Sequence, residues 1–208
     1  ALAHALIELH GERNDEQAAL VAEHLEQGGE AREAARWHAR AGVWANRRNA
    51  EIAVAHWQRV RALLPDPSGD GELRLARDAA AQIVVGGARR GLSDGEFDAA
   101  CEEALTLARR SEDARLEAQV FAGRILRAIY TGAFDPENSR RMRAAADRAA
   151  DAETRVVAAM VAHTTPHSEP MPTALRSIEE AIALAGDDLW LGAELIGVDL
   201  ARGVDEKL

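Results

Sequence analysis

The chain has 208 residues and a formal net charge of −10, which argues against a general nucleic-acid surface, because such a surface needs a basic stripe to replace the counterions of the phosphates. Alanine accounts for 45 of the 208 residues and aromatic residues for 4%, so helices are favoured over strands. The single cysteine, Cys101, fits a reducing cytoplasm, and no apolar run approaches the roughly 20 residues that cross a bilayer.

The spacing of apolar residues predicts an all-α chain of about eleven helices. Their expected bounds are 1–10, 14–27, 30–46, 49–64, 72–90, 94–110, 112–131, 136–150, 152–165, 173–185 and 188–202. Asn14 or Asp15 is the expected N-cap of the second helix, Gly28-Gly29 its stop, and Ser93 the N-cap of the sixth. The Pro- and Gly-rich segment 65–71 is a candidate joint between a first part, 1–65, and a continuous second part, 66–208.

Segment 30–65 is the most regular part of the chain and holds three of its four tryptophans. Large and small residues follow helical spacing on one face of each of two helices, and Pro65 ends the second. The positions concerned are Trp37, Ala41, Trp44, Ala53, Trp57 and Val60. At these positions the segment resembles a tetratricopeptide (TPR) repeat that lacks the usual turn glycine. The resemblance implies a binding scaffold in which these residues form the structural core and none carries chemistry.

Looser copies of this pattern follow along the chain. Gly132-Ala133-Phe134 echoes Gly95-Glu96-Phe97, and Ala174, Ile178 and Ala181 give another helical stripe. A single hairpin exposes an apolar face that a stacked neighbour buries. We therefore expect TPR-like antiparallel hairpins stacked into a right-handed superhelix, an α-solenoid.

The segment DEQAALVAEHLEQGGEAREAARWHARAG, residues 15–42, is similar to the region just downstream of the ATPase core in large bacterial signalling proteins. These are STAND-type ATPases, found in ATPase-linked nucleotide cyclases and LuxR-type transcriptional regulators, where a TPR-like superhelix follows a winged helix. The similarity covers roughly residues 1–65. It implies a non-catalytic protein-interaction or sensor module that relays to the upstream ATPase or output domains. Because the chain starts without methionine and already in helical pattern, we expect a fragment of a longer protein.

Two other functions stay open at this point. A small-molecule effector could bind inside the superhelix, which a deep apolar pocket with a few polar groups would indicate. An enzyme is the third reading, but the sequence has no GxxxxGK[ST] phosphate loop and no HExxH zinc motif. Cys101 is expected to be a buried thiol within a helix. We therefore predict no catalytic residue, cofactor or metal.

Two clusters are candidate interaction sites. Arg140, Arg141, Arg143 and Arg148 form the only local basic cluster; it would receive an acidic partner or a phosphate, or else form a solvated face paired with Asp147 and Asp151. His163 and His167 have the four-residue spacing of helical metal ligands, but Pro166 between them predicts the helix end, so a metal is not expected. Loop 163–172 is either an interaction loop or a tolerated insertion. The other histidines, including His38 and His56, are interpreted as boundary residues.

Overall fold

A computed structural model of the chain describes residues 2–10, 15–46, 48–89, 92–149 and 151–163. Every regular element in these residues is a helix, so the all-α prediction is confirmed for them. The helices are α1 Leu2–His10, α2 Ala18–Gln27, α3 Ala31–Asn46, α4 Ala50–Leu63, α5 Gly69–Gly87, α6 Asp94–Arg110, α7 Ala114–Thr131, α8 Pro136–Ala149 and α9 Ala152–His163. They correspond in order to the first nine predicted helices, and the predicted helices 173–185 and 188–202 lie outside the described residues. None of these helices combines the length and apolarity needed to cross a membrane.

The ends of α2 are partly as predicted. Asp15 is not its N-cap, because a single 3-10 turn at Asp15–Gln17 precedes the helix and Gln17 occupies the cap without a side-chain bond; Asn14 lies outside the described residues. At the other end the predicted glycine stop is confirmed. Gly29 has φ +77°, and the Glu30 amide donates to the Leu25 carbonyl oxygen at 2.9 Å. Together with the bond from the Gly29 amide to the Glu26 carbonyl oxygen, also at 2.9 Å, this bond satisfies terminal carbonyls that the helix itself leaves unpaired.

Ser93 caps α6, as predicted. Its hydroxyl oxygen accepts from the Glu96 amide at 3.4 Å, and the Glu96 carboxylate accepts from the Ser93 amide at 2.8 Å. This reciprocal arrangement is a capping box.

Besides that of α2, two further predicted helix starts were wrong. Helix α7 begins two residues later than predicted, because Glu112 adopts a left-handed φ of +52° and Asp113 is the N-cap. Helix α5 begins at Gly69, within the segment predicted to be a break. There the Ser68 amide donates to the Glu72 carboxylate at 2.9 Å, which satisfies a donor ahead of the first turn.

The chain divides into two compact units, Ala1–Glu103 and Ala104–Leu208. In the first unit α1 packs on α2, α2 on α3, α3 on α4 and α4 on α5, and α3 also touches α5. In the described part of the second unit α7 packs on α8, α8 on α9, and α7 on α9. The predicted joint at 65–71 lies within the first unit, between two helices that pack on each other.

Each unit has a core of small and aliphatic side chains. In the first, residues of α1, α2 and α3 form one buried cluster, which includes Ala3, Val21, Leu25, Trp37 and Ala41. In the second, the buried side chains include Leu116, Val120, Phe121, Met142 and Val161. Alanine is frequent in both cores, and its small side chain allows helices to approach closely.

Candidate functional site

The α3–α4 hairpin buries five of the six residues that carry the TPR resemblance. Ala41, Ala53 and Val60 are buried, as are the rings of Trp37 and Trp57, and none of the five is more than 5% exposed. Trp44 is partly exposed, which differs from the expectation that all three tryptophans of the hairpin lie in the core. Pro65 is exposed, directly beyond the residue that caps the C-terminal end of α4.

Trp44 lies close to the end of α3 and contacts a cation there. The Arg48 guanidinium lies 4.1 Å from the centroid of its ring, and the same group donates to the Trp44 carbonyl oxygen at 2.9 Å. Arginine over an indole face is a favourable cation–π contact. The Trp44 side chain therefore packs over the end of α3 rather than filling the core.

Gly42 is a residue that the sequence interpretation missed. A β-carbon at this position would lie 2.7 Å from Cε2 and 2.9 Å from Nε1 of Trp57. The indole thus rests on the backbone of α3, and only the absence of a side chain at 42 permits it. A glycine inside a helix costs about 1 kcal/mol relative to alanine. Gly42, directly after Ala41 in a helical segment, was therefore a signal in the sequence that another group packs closely on the backbone there.

Three arginines of the α8 cluster pair with carboxylates of the chain itself. Arg140 and Arg141 both pair with Glu137, at 2.6 and 3.0 Å, and Arg148 pairs with Glu117 of α7. These acidic partners are not the predicted ones, since Asp151 instead accepts from the Thr154 amide at 2.7 Å at the start of α9. Arg143 is also engaged. The cluster therefore does not present four unpaired cations to an anion.

Only one of the two histidines with the spacing of helical metal ligands lies in the described part of the chain. His163 is the last residue of α9, and His167 lies outside the described residues. Across the described ranges, no group of three or more His, Cys, Asp or Glu side chains is placed to hold a metal ion.

A polar cluster that sequence reasoning did not assemble lies where α2, α3 and α4 meet. His38 of α3 is 5% exposed, and its Nδ1 lies 3.0 Å from Nδ1 of His56 on α4. Its Nε2 lies 3.2 Å from Oε2 of Glu26 on α2. Arg59, one turn after His56, donates from Nε to the same Glu26 oxygen at 2.7 Å and pairs with the other oxygen through Nη2. Residues from three helices therefore form one continuous chain of hydrogen bonds.

The environment of this cluster shifts the pKa values of all four members, and the hydrogen bond to Glu26 raises that of Arg59. The Arg59 side chain, hydrogen-bonded to the Glu26 carboxylate, lowers the pKa of that carboxyl to about 2. Burial lowers the pKa of His38, against the opposing effect of Glu26. Burial, and then the positive charge of His38 when protonated, lower the pKa of His56. At neutral pH the cluster thus contains an ionised carboxylate and two uncharged imidazoles.

The sequence contained part of the information for this cluster. His38 directly follows Trp37, and His56 directly precedes Trp57. Each histidine therefore lies one residue from a core position of its helix. Glu26, the partner of His38, comes from the preceding helix, at a separation that helical spacing within one element cannot predict. From their neighbours in sequence alone, the histidines were interpreted as separate residues at the boundary of the core. This interpretation is wrong for His38, because its side chain is buried.

Three large apolar side chains are exposed near the end of α7. Tyr130 is 65% exposed, Ile129 44% and Phe134 43%. Phe134 belongs to the Gly132-Ala133-Phe134 segment that echoed the earlier repeat, and Gly132 ends the helix with φ +74°. The apolar residue of this repeat copy is therefore outside the core, unlike its counterpart Phe97, which is 3% exposed.

Comparison with known proteins gave no match to a family model, to a curated protein or to a solved structure.

Proposed function

We propose that the chain is a non-catalytic, TPR-like protein-interaction or sensor module of a larger bacterial signalling or transcription-regulating ATPase. The finer fold we propose is a set of antiparallel hairpins stacked into a right-handed superhelix. A cytoplasmic location belongs to the same proposal, supported by the single, buried Cys101.

The observation that carries the proposal is the order of helix packing within each unit. From α1 to α5, and from α7 to α9, each helix packs on its neighbour in sequence, and two further contacts join helices that are next but one, α3 to α5 and α7 to α9. Helical-repeat proteins have this connectivity, because each repeat contacts only adjacent repeats. The hairpin with the TPR-type residue pattern is also the one in which a large ring rests on a glycine, Trp57 on Gly42.

The partner follows from the sequence resemblance. The segment 15–42 is similar to the region that follows the ATPase core in STAND-type proteins, so we propose the ATPase and output domains of the same protein as the first partner. Contacts between domains of one chain resemble transient interfaces. Binding between separately purified parts is therefore expected at about micromolar Kd, or about −8 kcal/mol.

The test begins with the reading frame that precedes Ala1. We expect it to encode a phosphate-loop ATPase and a winged helix, and we expect that region, purified separately, to bind this chain saturably in calorimetry. A frame without an ATPase would contradict the proposed family. An ATPase region that shows no binding at concentrations well above micromolar would contradict the proposed partner.

A control titration examines the non-catalytic part of the proposal. Magnesium-ATP added to this chain alone should give no saturable heat, because the glycine loop and lysine that cradle phosphates are missing and the single lysine is Lys207. One-to-one binding of the nucleotide would mean that the chain contains a nucleotide site of its own. An enzyme would then be a better interpretation than a non-catalytic module.

A further inference from the structure

The two histidines where α3 meets α4, His38 and His56, point their Nδ1 atoms directly at each other. The N···N distance is 3.0 Å and the ring centroids are 5.3 Å apart. The centroid separation is close to the N···N distance plus the distance from each nitrogen to its own ring centre. The two nitrogens therefore lie on the line between the rings, as in a hydrogen bond.

Such a bond fixes where the protons are. A carboxylate only accepts hydrogen bonds, so His38 Nε2 carries the proton that is donated to Glu26. The Nδ1 of neutral His38 is then unprotonated and accepts, so His56 must donate from Nδ1. In this state His56 Nε2 is the unprotonated nitrogen of the second ring.

This arrangement has room for one additional proton. The proton can bind His56 Nε2 while both hydrogen bonds of the pair remain in place. A second proton could bind only at His38 Nδ1, which already faces the N–H of His56 at 3.0 Å. Two N–H groups on two cations would then oppose each other, and the contact between α3 and α4 could not remain closed.

The charged groups around the pair do not offset this repulsion fully. Glu26 and Glu23 of α2 favour protonation of His38, and Glu23 favours that of His56, whereas Arg59 of α4 opposes protonation of His38. The ion pairs reported for the other packed elements lie elsewhere. Glu72 of α5 pairs with Arg32, and Asp15 of the 3-10 turn pairs with Arg40.

From this geometry we propose that the His38–His56 pair is a proton-responsive contact that loosens the packing of α2, α3 and α4 when the pH falls below about 6.5, the ordinary histidine value. The closed pair holds one added proton, whereas the two histidines of the opened chain hold two. The opened state therefore binds more protons, and acid favours it. The sign agrees with histidines buried in the uncharged form, whose contribution to stability is present above the ordinary histidine pKa and lost below it.

Hydrogen exchange measured by segment tests the proposal on the whole chain. After correction for the intrinsic exchange rate, the protection of α3 and α4 should fall by up to tenfold per pH unit between about pH 6.5 and 5, the slope for one proton. Segments of α7 and α8 serve as the internal reference in the same samples. Equal protection of α3 and α4 at pH 7 and pH 5 would overturn the proposal.

The diagnostic variant is His56→Asn, whose side-chain amide can donate to His38 or, after rotation, accept from it. It removes one protonation site and the opposed N–H groups together, so the pH dependence of protection in α3 and α4 should become clearly shallower, and only the part due to the burial of His38 should remain. The matched control is His24→Asn, which removes a half-buried histidine of α2 outside the pair and should retain the wild-type slope. A wild-type slope in His56→Asn would overturn the proposal.

A measurement on the unaltered chain keeps the test valid if the variant does not fold. Ring-nitrogen chemical shifts at pH 7.5 should show the Nε2–H tautomer for His38 and the Nδ1–H tautomer for His56. On acidification only one proton should bind before the amides of α3 and α4 lose protection. Uptake of two protons with protection unchanged, or saturable zinc binding that His56→Asn abolishes, would contradict a proton-responsive pair.

Discussion

The two units differ in what their interiors contain. The first buries an imidazole, His38, within a chain of polar groups, and it packs a large ring on the bare backbone of Gly42. In the described part of the second, the buried polar side chains are Ser139 and Thr154. Hydroxyl groups do not change charge between pH 5 and 8, whereas imidazoles do. The proposed dependence of stability on pH is therefore expected in the first unit, and the buried polar groups described in the second supply no equivalent source of it.

The largest expected effect comes from Trp57→Ala in the first unit. Loss of this buried ring should lower the free energy of unfolding by about 3–5 kcal/mol, from lost contacts and the cavity left behind. Trp44→Ala is the matched control, and its effect should be clearly smaller because Trp44 is partly exposed. Urea unfolding of both variants measures the difference. Equal losses would contradict the assignment of Trp57 to the core and of Trp44 to the edge.

The second prediction concerns the glycine beneath that ring. Gly42→Ala forces a methyl group against Trp57, and overpacking of this kind typically costs about 1–3 kcal/mol. The control is Gly71→Ala, since a β-carbon there meets no atom within 4 Å and the residue lies in α5. Alanine at 71 should be neutral or slightly stabilising by helix propensity. If both variants melt at the wild-type temperature, the close approach does not exist in solution.

The third prediction separates the carboxylate of the cluster from its histidines. The pKa of Glu26 is lowered to about 2, so its contribution to stability is present above about pH 4.5 and is lost as the pH falls towards 2. Glu26→Gln keeps an acceptor for His38 but removes the charge opposite Arg59. Because the Arg59 side chain is 49% exposed, solvent screens this ion pair, and we expect only a small loss of stability at pH 7.

Acid denaturation curves measure this contribution. The decline of stability between pH 4.5 and 2 should be shallower in Glu26→Gln than in the wild type, while the dependence near pH 6 is retained. An identical decline in both proteins would show that Glu26 is not the group with the lowered pKa.

The smallest effect is expected at the start of α7. Glu112 has φ +52°, a conformation that costs an ordinary residue about 1–2 kcal/mol, while glycine loses about 0.5–1 kcal/mol more entropy on folding. These two ranges differ by about 0–1.5 kcal/mol, so Glu112→Gly should raise the free energy of unfolding by about 0.75 kcal/mol, the middle of that range. Gly132→Ala, at φ +74°, is the reciprocal control and should lower it. A destabilised Glu112→Gly variant would contradict the left-handed conformation.

Local patterns in the sequence predicted most of the described fold. Helical spacing and Gly28-Gly29 gave the bounds of α2 and α3 to within a few residues, and Ser93 gave the start of α6. The start of α7 was wrong because the left-handed turn at Glu112 uses a residue that rarely adopts it. The start of α5 was wrong because glycine and aspartate at 69–71 suit a turn as well as a first helical turn.

The polar cluster could not be predicted in the same way. His38, His56 and Glu26 lie on three helices, and their contact depends on the rotation of each helix about its axis. Periodicity gives the apolar face of a helix but not which residue at the border of that face meets which neighbour. Gly42 carried a local signal, the cost of glycine within a helix, whereas the identity of the ring above it required the packed structure.

The central claim is that Trp57 rests on the backbone of Gly42 and so joins α3 and α4 into the hairpin on which the proposed module depends. Proton nuclear magnetic resonance tests this contact directly. The account predicts strong Overhauser effects between the indole protons of Trp57 and the α-protons of Gly42, with those α-protons shifted upfield by the ring. Gly42 α-protons at ordinary helical shifts, with no effect from Trp57, would contradict it.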